Sequence, residues 1–239
     1  YKPYLSMHAP FDELAEALAS LPEPTNFPWA DWALQARQDY ELFSRVPAVS
    51  ADHTGVDMGK VVNYLSDHLP ADTIVCNGAG NFSVWVHRFY KYHQYVSELA
   101  PTNGSMGYGL PAAIAAKLRF PDKSVICFSG DGCFMMYPQE LATAIQENTA
   151  VILFIVNNGM YGTIRMHQER EYPSRVFASN LVNPDFVALS TSFGAHAERV
   201  TEFSEFPSAL ARAMDSERVS VIELVTDPMQ LSPSKRIQR

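Results

Sequence analysis

The chain has 239 residues, 47% of them hydrophobic, and a formal net charge of −8. That is enough chain and apolar content to bury a sizeable core, as one large α/β domain or two smaller ones. The acidic balance argues against a nucleic-acid or membrane-surface partner, no apolar run is long enough to span a membrane, and residues 1–10 lack the apolar core of a signal peptide; a cytoplasmic location is therefore expected.

The chain lacks an initiator Met and opens with what reads as the end of a preceding domain plus a linker, residues 1–49. A terminal strand is expected over 1–9 and a helix over 11–21, with Asp12 and Glu13 in its first turn. Pro22, Pro24 and Pro28 break the chain, a second helix follows from 29 to about 43, and 47–54 reads as a connection. The sequence thus reads as the C-terminal part of a longer polypeptide. From Val56 onward helices and strands alternate, and residues 50–230 read as a doubly wound α/β domain, a parallel sheet with helices on both faces. Val61, Val62, Leu65 and Leu69 share one face of a helix over 58–69. A short buried strand, 73–76, ends in Asn77-Gly78-Ala79-Gly80-Asn81, a turn able to offer backbone N–H groups to an anion. The basic, aromatic stretch 87–93 reads as a partly solvated helix end and turn.

Next, Asn103-Gly104-Ser105-Met106-Gly107-Tyr108-Gly109 leads into a small-residue helix over 112–118, so backbone there comes close to a neighbouring helix or to a ligand. A strand at 124–129 then breaks at Gly130-Asp131-Gly132, a helix spans 138–147, and a strand at 150–156 breaks at Asn157-Asn158-Gly159. Strand, helix and parallel strand place both polar turns at carboxyl ends of neighbouring strands, where open α/β sheets bind ligands. Asp131 supplies one hard carboxylate and Asn158 a neutral amide oxygen, a set suited to Mg²⁺ that keeps phosphate oxygens as ligands and unsuited to an all-protein Ca²⁺ cage or to Zn²⁺. A helix from 161 through 168, another from 183 to about 193, a strand at 196–200, a helix over 202–214 and a strand at 220–225 complete the domain. Residues 231–239, with Lys235, Arg236 and Arg239, read as an extended tail. Of three cysteines, Cys76 and Cys127 are expected as reduced core thiols; Cys133 follows the glycine turn but has no histidine beside it in any local motif.

Gly130-Asp131-Gly132, residues 133–156 and then Asn157-Asn158 resemble the diphosphate-binding signature of thiamine diphosphate enzymes. The segment from Gly104 to Ala113 resembles the GxMGFGLPAA segment of acetolactate synthase and its relatives, which share a fold with pyruvate decarboxylase. Over roughly residues 50–230 the resemblance implies a thiamine diphosphate- and Mg²⁺-dependent 2-oxo acid decarboxylase or carboligase, a lyase or transferase. It implies Mg²⁺ ligation by Asp131, Asn158 and the Met160 carbonyl. A diphosphate would be surrounded by Gly78, Ala79, Gly80, Asn81, Gly130, Gly132, Cys133, Tyr161, Gly162 and Thr163. The Gly104 carbonyl would bond the aminopyrimidine, Met106 would wedge the cofactor into its bent V shape, Ser105 between them would also touch the cofactor, and Ile164 would lie near the thiazolium. The family's activating Glu lies on a separate pyrimidine-binding domain of the same or a second subunit, and none of Glu140, Glu147, Glu169 or Glu171 sits in a matching motif. The resemblance therefore implies half an active site, inactive alone and completed in a homodimer or homotetramer; a non-catalytic cofactor-binding module is the alternative. The chain departs from its relatives at His167, where acetolactate synthases carry a Trp that helps select the acceptor, so His167 is a candidate substrate contact.

Overall fold

The computed structural model describes residues 2–95 and 97–237. They fall into two compact units that divide between Phe43 and Ser44, so residues 44–49 belong with the larger one. The smaller unit holds α1 (Phe11–Ala19) and α2 (Ala30–Phe43), separated by the three prolines. The strand expected over 1–9 does not form: residues 2–9 carry no strand, and Tyr1 lies outside the described residues. Pro3 and Pro10 remove ladder donors there, and an extended segment without a partner strand has nothing to order it.

In the larger unit, β1 (Ile74–Asn77), β2 (Glu98–Leu99), β3 (Val125–Gly130), β4 (Ile152–Asn157), β5 (His196–Val200) and β6 (Ser220–Val225) form one parallel sheet in the order β2-β1-β3-β4-β6-β5. Parallel strands buried on both faces must be apolar almost throughout, and alternate residues serve opposite faces. Ile126, Phe128, Phe154 and Ile222 pack with α3 (Met58–His68), α4 (Ser83–Phe89) and α10 (Phe206–Asp215). Their neighbours Val125, Cys127, Leu153 and Val221 pack with α5 (Gly109–Arg119), α7 (Glu140–Gln146) and α9 (Phe186–Ser192). Helices thus cover both faces, the doubly wound arrangement expected of the sequence.

Phe154 centres the first of these cores, its ring centroid 5.0 Å from that of Phe128 and 5.8 Å from that of Phe206. All three cysteines are buried and free, and burial pushes the Cys76 thiol up to about 12, as suits inert core sulfur. The chain leaves β1 toward β2 in one direction and continues through β3 and β4 in the other, so the strand order reverses between β1 and β3. Crevices at the carboxyl ends of strands beside such a reversal are where these sheets take ligands. Beyond β6, where an extended tail was expected, the chain folds into a hairpin of β7 (Gln230–Ser232) and β8 (Lys235–Arg236). Arg236 fastens it, reaching Asp227 Oδ2 at 2.6 Å and Asp52 Oδ2 at 2.9 Å. Burial alone would raise the Asp227 carboxyl, but this guanidinium and the Met229 and Thr54 N–H groups hold it below the ordinary value. Arg239, counted with the expected tail, lies outside the described residues.

Candidate cofactor site

Four backbone segments meet at the carboxyl ends of β1, β3 and β4, and side-chain hydrogen bonds tie them together. After β1, the Asn77 amide donates to the Gly78 carbonyl at 2.8 Å and fixes the first turn. Asn81 Oδ1 in that turn accepts from Thr163 Oγ1 at 2.8 Å, which joins it to the turn after β4. The 104–107 loop is held by the Gly107 N–H, which donates to Cys133 Sγ at 3.2 Å. The turn after β3 is joined to the turn after β4 through Asp131, whose Oδ2 accepts from the Gly159 N–H at 2.9 Å.

Where these segments meet, the glycines are steric requirements. A Cβ on Gly78 would sit 2.4 Å from Cys133 Sγ, and one on Gly132 would sit 2.5 Å from Tyr161 Cε1. Gly104 and Gly159 instead have φ of +71° and +69° with open space beyond, so backbone conformation alone selects them. The turn after β4 is braced by antiparallel bonds from Tyr161 N to Ser179 O and from Leu181 N to Gly159 O, each 2.8 Å. Among the described residues no hydrogen bond engages the Met160 carbonyl.

The segments line a cavity of about 550 Å³. Of the residues expected at the site, Ala79, Gly80, Asn81, Gly104, Met106, Gly130, Asp131, Gly132, Cys133, Asn158, Met160, Tyr161, Gly162, Thr163 and Ile164 line it. Gly78, Ser105 and His167 do not. Gly78 lies behind the wall against Cys133. Ser105 spends its hydroxyl on Asn103 Oδ1 at 2.8 Å, and His167 is exposed on α8 (Gly162–Glu171). The other end of the cavity was not foreseen: it is formed by Val46, His53, Asp57, Trp85, Asp227 and Leu231, from the connection before α3, from α4 and from the C-terminal hairpin.

Asp131 dominates the electrostatics. It is 2% exposed, and among the described residues no cationic side chain pairs with it. Burial raises its carboxyl above the ordinary value, against the opposing pull of the Asn183 amide and the Gly132 and Gly159 N–H groups. A carboxylate so placed, beside the Asn158 side chain and the free Met160 carbonyl, fits a hard divalent cation that brings phosphate oxygens with it. No group of three or more His, Cys, Asp or Glu side chains that could hold a metal exists among the described residues, so neutral oxygens must complete such a set. Asn183 was missed from sequence. Its Nδ2 donates to Asp131 Oδ2 at 2.8 Å and to Asn157 Oδ1 at 3.0 Å, while Asn157 Nδ2 donates to the buried Glu223 at 2.7 Å. The available signal was Glu223 itself, a charge inside the otherwise apolar run of β6.

A parallel α/β sheet with glycine turns and one buried carboxylate beside its strand-order reversal defines a cofactor-binding domain that takes phosphate. Residues 78–224 match the family described as thiamine pyrophosphate enzyme, C-terminal TPP binding domain, and the chain belongs to that family. It is 28% identical over 229 residues to the acetolactate synthase isozyme 2 large subunit of Escherichia coli (strain K12), covering 91% of this chain and 39% of that one. It is 37% identical over 172 residues to the acetolactate synthase large subunit of Corynebacterium glutamicum, covering 69% and 28%. Among solved structures it is similar to the Rhodococcus jostii RHA1 thiamine diphosphate-dependent 4-hydroxybenzoylformate decarboxylase, with a TM-score of 0.70 and 28% identity over 77% of this chain and 34% of that one. The chain thus spans less than two fifths of the length of these relatives.

Proposed function

We propose that this domain binds the diphosphate of thiamine diphosphate through Mg²⁺, as one half of the active site of a 2-oxo acid decarboxylase or carboligase. The observation that carries the reading is the Asp131 carboxylate, buried in the cavity wall with no cationic side chain to offset it among the described residues. Asp131, Asn158 Oδ1 and the Met160 carbonyl would hold the metal, and the glycine turns would bring N–H groups to the phosphates. The bound cofactor would supply an electron sink for loss of CO₂ from a 2-oxo acid. The chain's own part is to hold the cofactor's charged end, while Met106 and Ile164 give it apolar contact.

Among the described residues the cavity lining contains aspartates at 57, 131 and 227 and no glutamate. This supports completion of the site by a pyrimidine-binding domain, on the same chain or on a second subunit of a homodimer or homotetramer. A preparation of these 239 residues alone is then expected to show no turnover of pyruvate, because neither the activating acid nor the facing wall that keeps out water is present. Turnover by such a preparation, verified free of other chains, would refute the half-site reading.

We also propose His167 as a contact to the second substrate. It stands three residues beyond Ile164 on α8, one turn out along the face that Ile164 turns to the cavity. His167→Trp is expected to leave thiamine diphosphate affinity within about twofold and to change the ratio of carboligation to aldehyde release, by differential contact with the acceptor alone. An unchanged product ratio for every acceptor tried, or a collapse of cofactor affinity, would remove His167 from the site.

A further inference from the structure

Asp131 does not offer its two oxygens equally. An ionised carboxylate has about four acceptor positions, two on each oxygen. On Oδ2 both are filled, by the Gly159 N–H at 2.9 Å and by Asn183 Nδ2 at 2.8 Å. On Oδ1 one is filled among the described residues, by the Gly132 N–H at 2.9 Å. The remaining capacity of this carboxylate is therefore on Oδ1.

The residue that creates this asymmetry together with Gly159 is itself held in a closed ring. Asn183 Nδ2 also donates to Asn157 Oδ1 at 3.0 Å, and Asn157 Nδ2 donates to Glu223 Oε1 at 2.7 Å. Arg199 Nε donates to Glu223 Oε2 at 2.7 Å, and Arg199 Nη2 donates to Asp185 Oδ1 at 3.0 Å. Asp185 caps α9 through the Val187 and Ala188 N–H groups at 3.0 and 3.1 Å, and only Pro184 separates it from Asn183. Glu223 is 2% exposed inside a strand whose other residues are apolar or small, a costly place for a charge unless it is paired and hydrogen-bonded. The ring gives that charge its partners and gives the Asn183 amide a single orientation.

We infer that Asn183, fixed by Asn157 and the Glu223–Arg199 pair, is the positioning residue that occupies Asp131 Oδ2 and turns Oδ1 toward the divalent cation. The inference rests on the Mg²⁺ reading of Asp131 above. Residues that orient a metal-ligating group without touching the metal typically contribute 10- to 100-fold to metal affinity. Asn183 would act on the metal and only through it on the cofactor.

The test is calorimetric titration of the protein in its native assembly with Mg²⁺ at saturating thiamine diphosphate, and with thiamine diphosphate at saturating Mg²⁺. Asn183→Ala is expected to weaken Mg²⁺ by about 10- to 100-fold, while its thiamine diphosphate affinity at saturating Mg²⁺ returns to within about twofold of wild type. A general collapse of the turn would lower both and would overturn the inference, as would Mg²⁺ affinity equal to wild type. Should Asn183→Ala fail to fold, Glu223→Gln decides: it leaves every cavity-lining residue in place and removes one of the two acceptors that hold the ring. A several-fold loss of Mg²⁺ affinity supports the inference, and an unchanged affinity overturns it. Asp131→Ala serves as the control: Mg²⁺ lost there but unchanged in both other variants refutes the role of Asn183 alone, whereas Mg²⁺ retained in Asp131→Ala refutes the metal reading itself.

Discussion

Asp131→Asn is expected to abolish the stabilisation that Mg²⁺ and thiamine diphosphate confer together, with a loss of Mg²⁺ affinity beyond the roughly 10- to 100-fold typical of an outer residue. The substitution keeps the volume and, with its amide oxygen in the Oδ2 position, keeps the bonds from Gly159 and Asn183 while the Gly132 N–H loses its acceptor, so two of the three contacts of the side chain remain. What it removes is the one formal charge among the proposed metal ligands, and it leaves in the Oδ1 position an amide NH₂, which donates and cannot ligate a hard cation. Linkage gives the complementary sign for the metal-free protein. A carboxyl raised by burial adds stability below its unfolded pKa, near 3.8, and loses it as pH rises through the folded value, so at neutral pH its ionisation is a net cost that the amide does not carry. Wild-type protein at about 100 times the ligand Kd gains about 2.7 kcal/mol, read as a rise in melting temperature. No such rise is expected for Asp131→Asn. An equal rise in both proteins would remove Asp131 from the metal set.

Gly109→Ala is expected to lower stability and cofactor affinity together. A Cβ there would lie 2.8 Å from the backbone N of Gly78, 2.9 Å from Cys127 Sγ and 3.1 Å from the backbone carbon of Asn77. Two of these atoms are main chain at the end of β1 and the third is a sulfur in the core, so nothing flexible can yield. Overpacking of this kind costs about 1–3 kcal/mol, a large part of the 5–15 kcal/mol that holds a domain folded. Because the strain falls on the turn at 78–81, cofactor affinity is expected to fall as well. Denaturant unfolding should show a lower midpoint with an unchanged slope. Gly104→Ala provides the contrast, since its Cβ would meet nothing within 4 Å and only the φ of +71° opposes it. A Gly109→Ala midpoint equal to wild type would mean that α5 does not press on β1 as closely as described.

The framework was legible where burial writes a continuous signal. The strand at 220–225 was read to the residue, and β3 and β4 to within two, because strands covered on both faces leave nearly continuous apolar runs, while the edge strand at 196–200, HAERV, was read to the residue without one. Elements below that length carried too little pattern. The two-residue β2 has no period to detect, and the one-turn α6 (Asp131–Phe134) begins inside the glycine turn at 130–132 and ends before the helix read from 138. The stretch 87–93 is the partly solvated helix end and turn that its basic residues suggested, but nothing local singled out Trp85 and Phe89, which line the cavity. The candidate site divides in the same way. Turn residues announce themselves locally by composition, whereas Asn183 acts through a contact to Asp131, 52 positions away, that no local window contains. Its neighbour Asp185 does the capping that the Asn-Pro-Asp sequence advertises, which leaves Asn183 free for the longer reach. The far end of the cavity escaped notice for a related reason, since residues 46–57 and 226–233 are brought together only by the fold.

The metal set is tested most directly by a crystal structure of the native assembly with Mg²⁺ and thiamine diphosphate bound. The metal is expected against Asp131 Oδ1, the Asn158 side-chain oxygen and the Met160 carbonyl, with the diphosphate over the glycine turns and Asn183 still bonded to Asp131 Oδ2. A metal on Oδ2 with Asn183 displaced, or a diphosphate bound at the end of the cavity formed by Val46, His53 and Asp227, would contradict this arrangement.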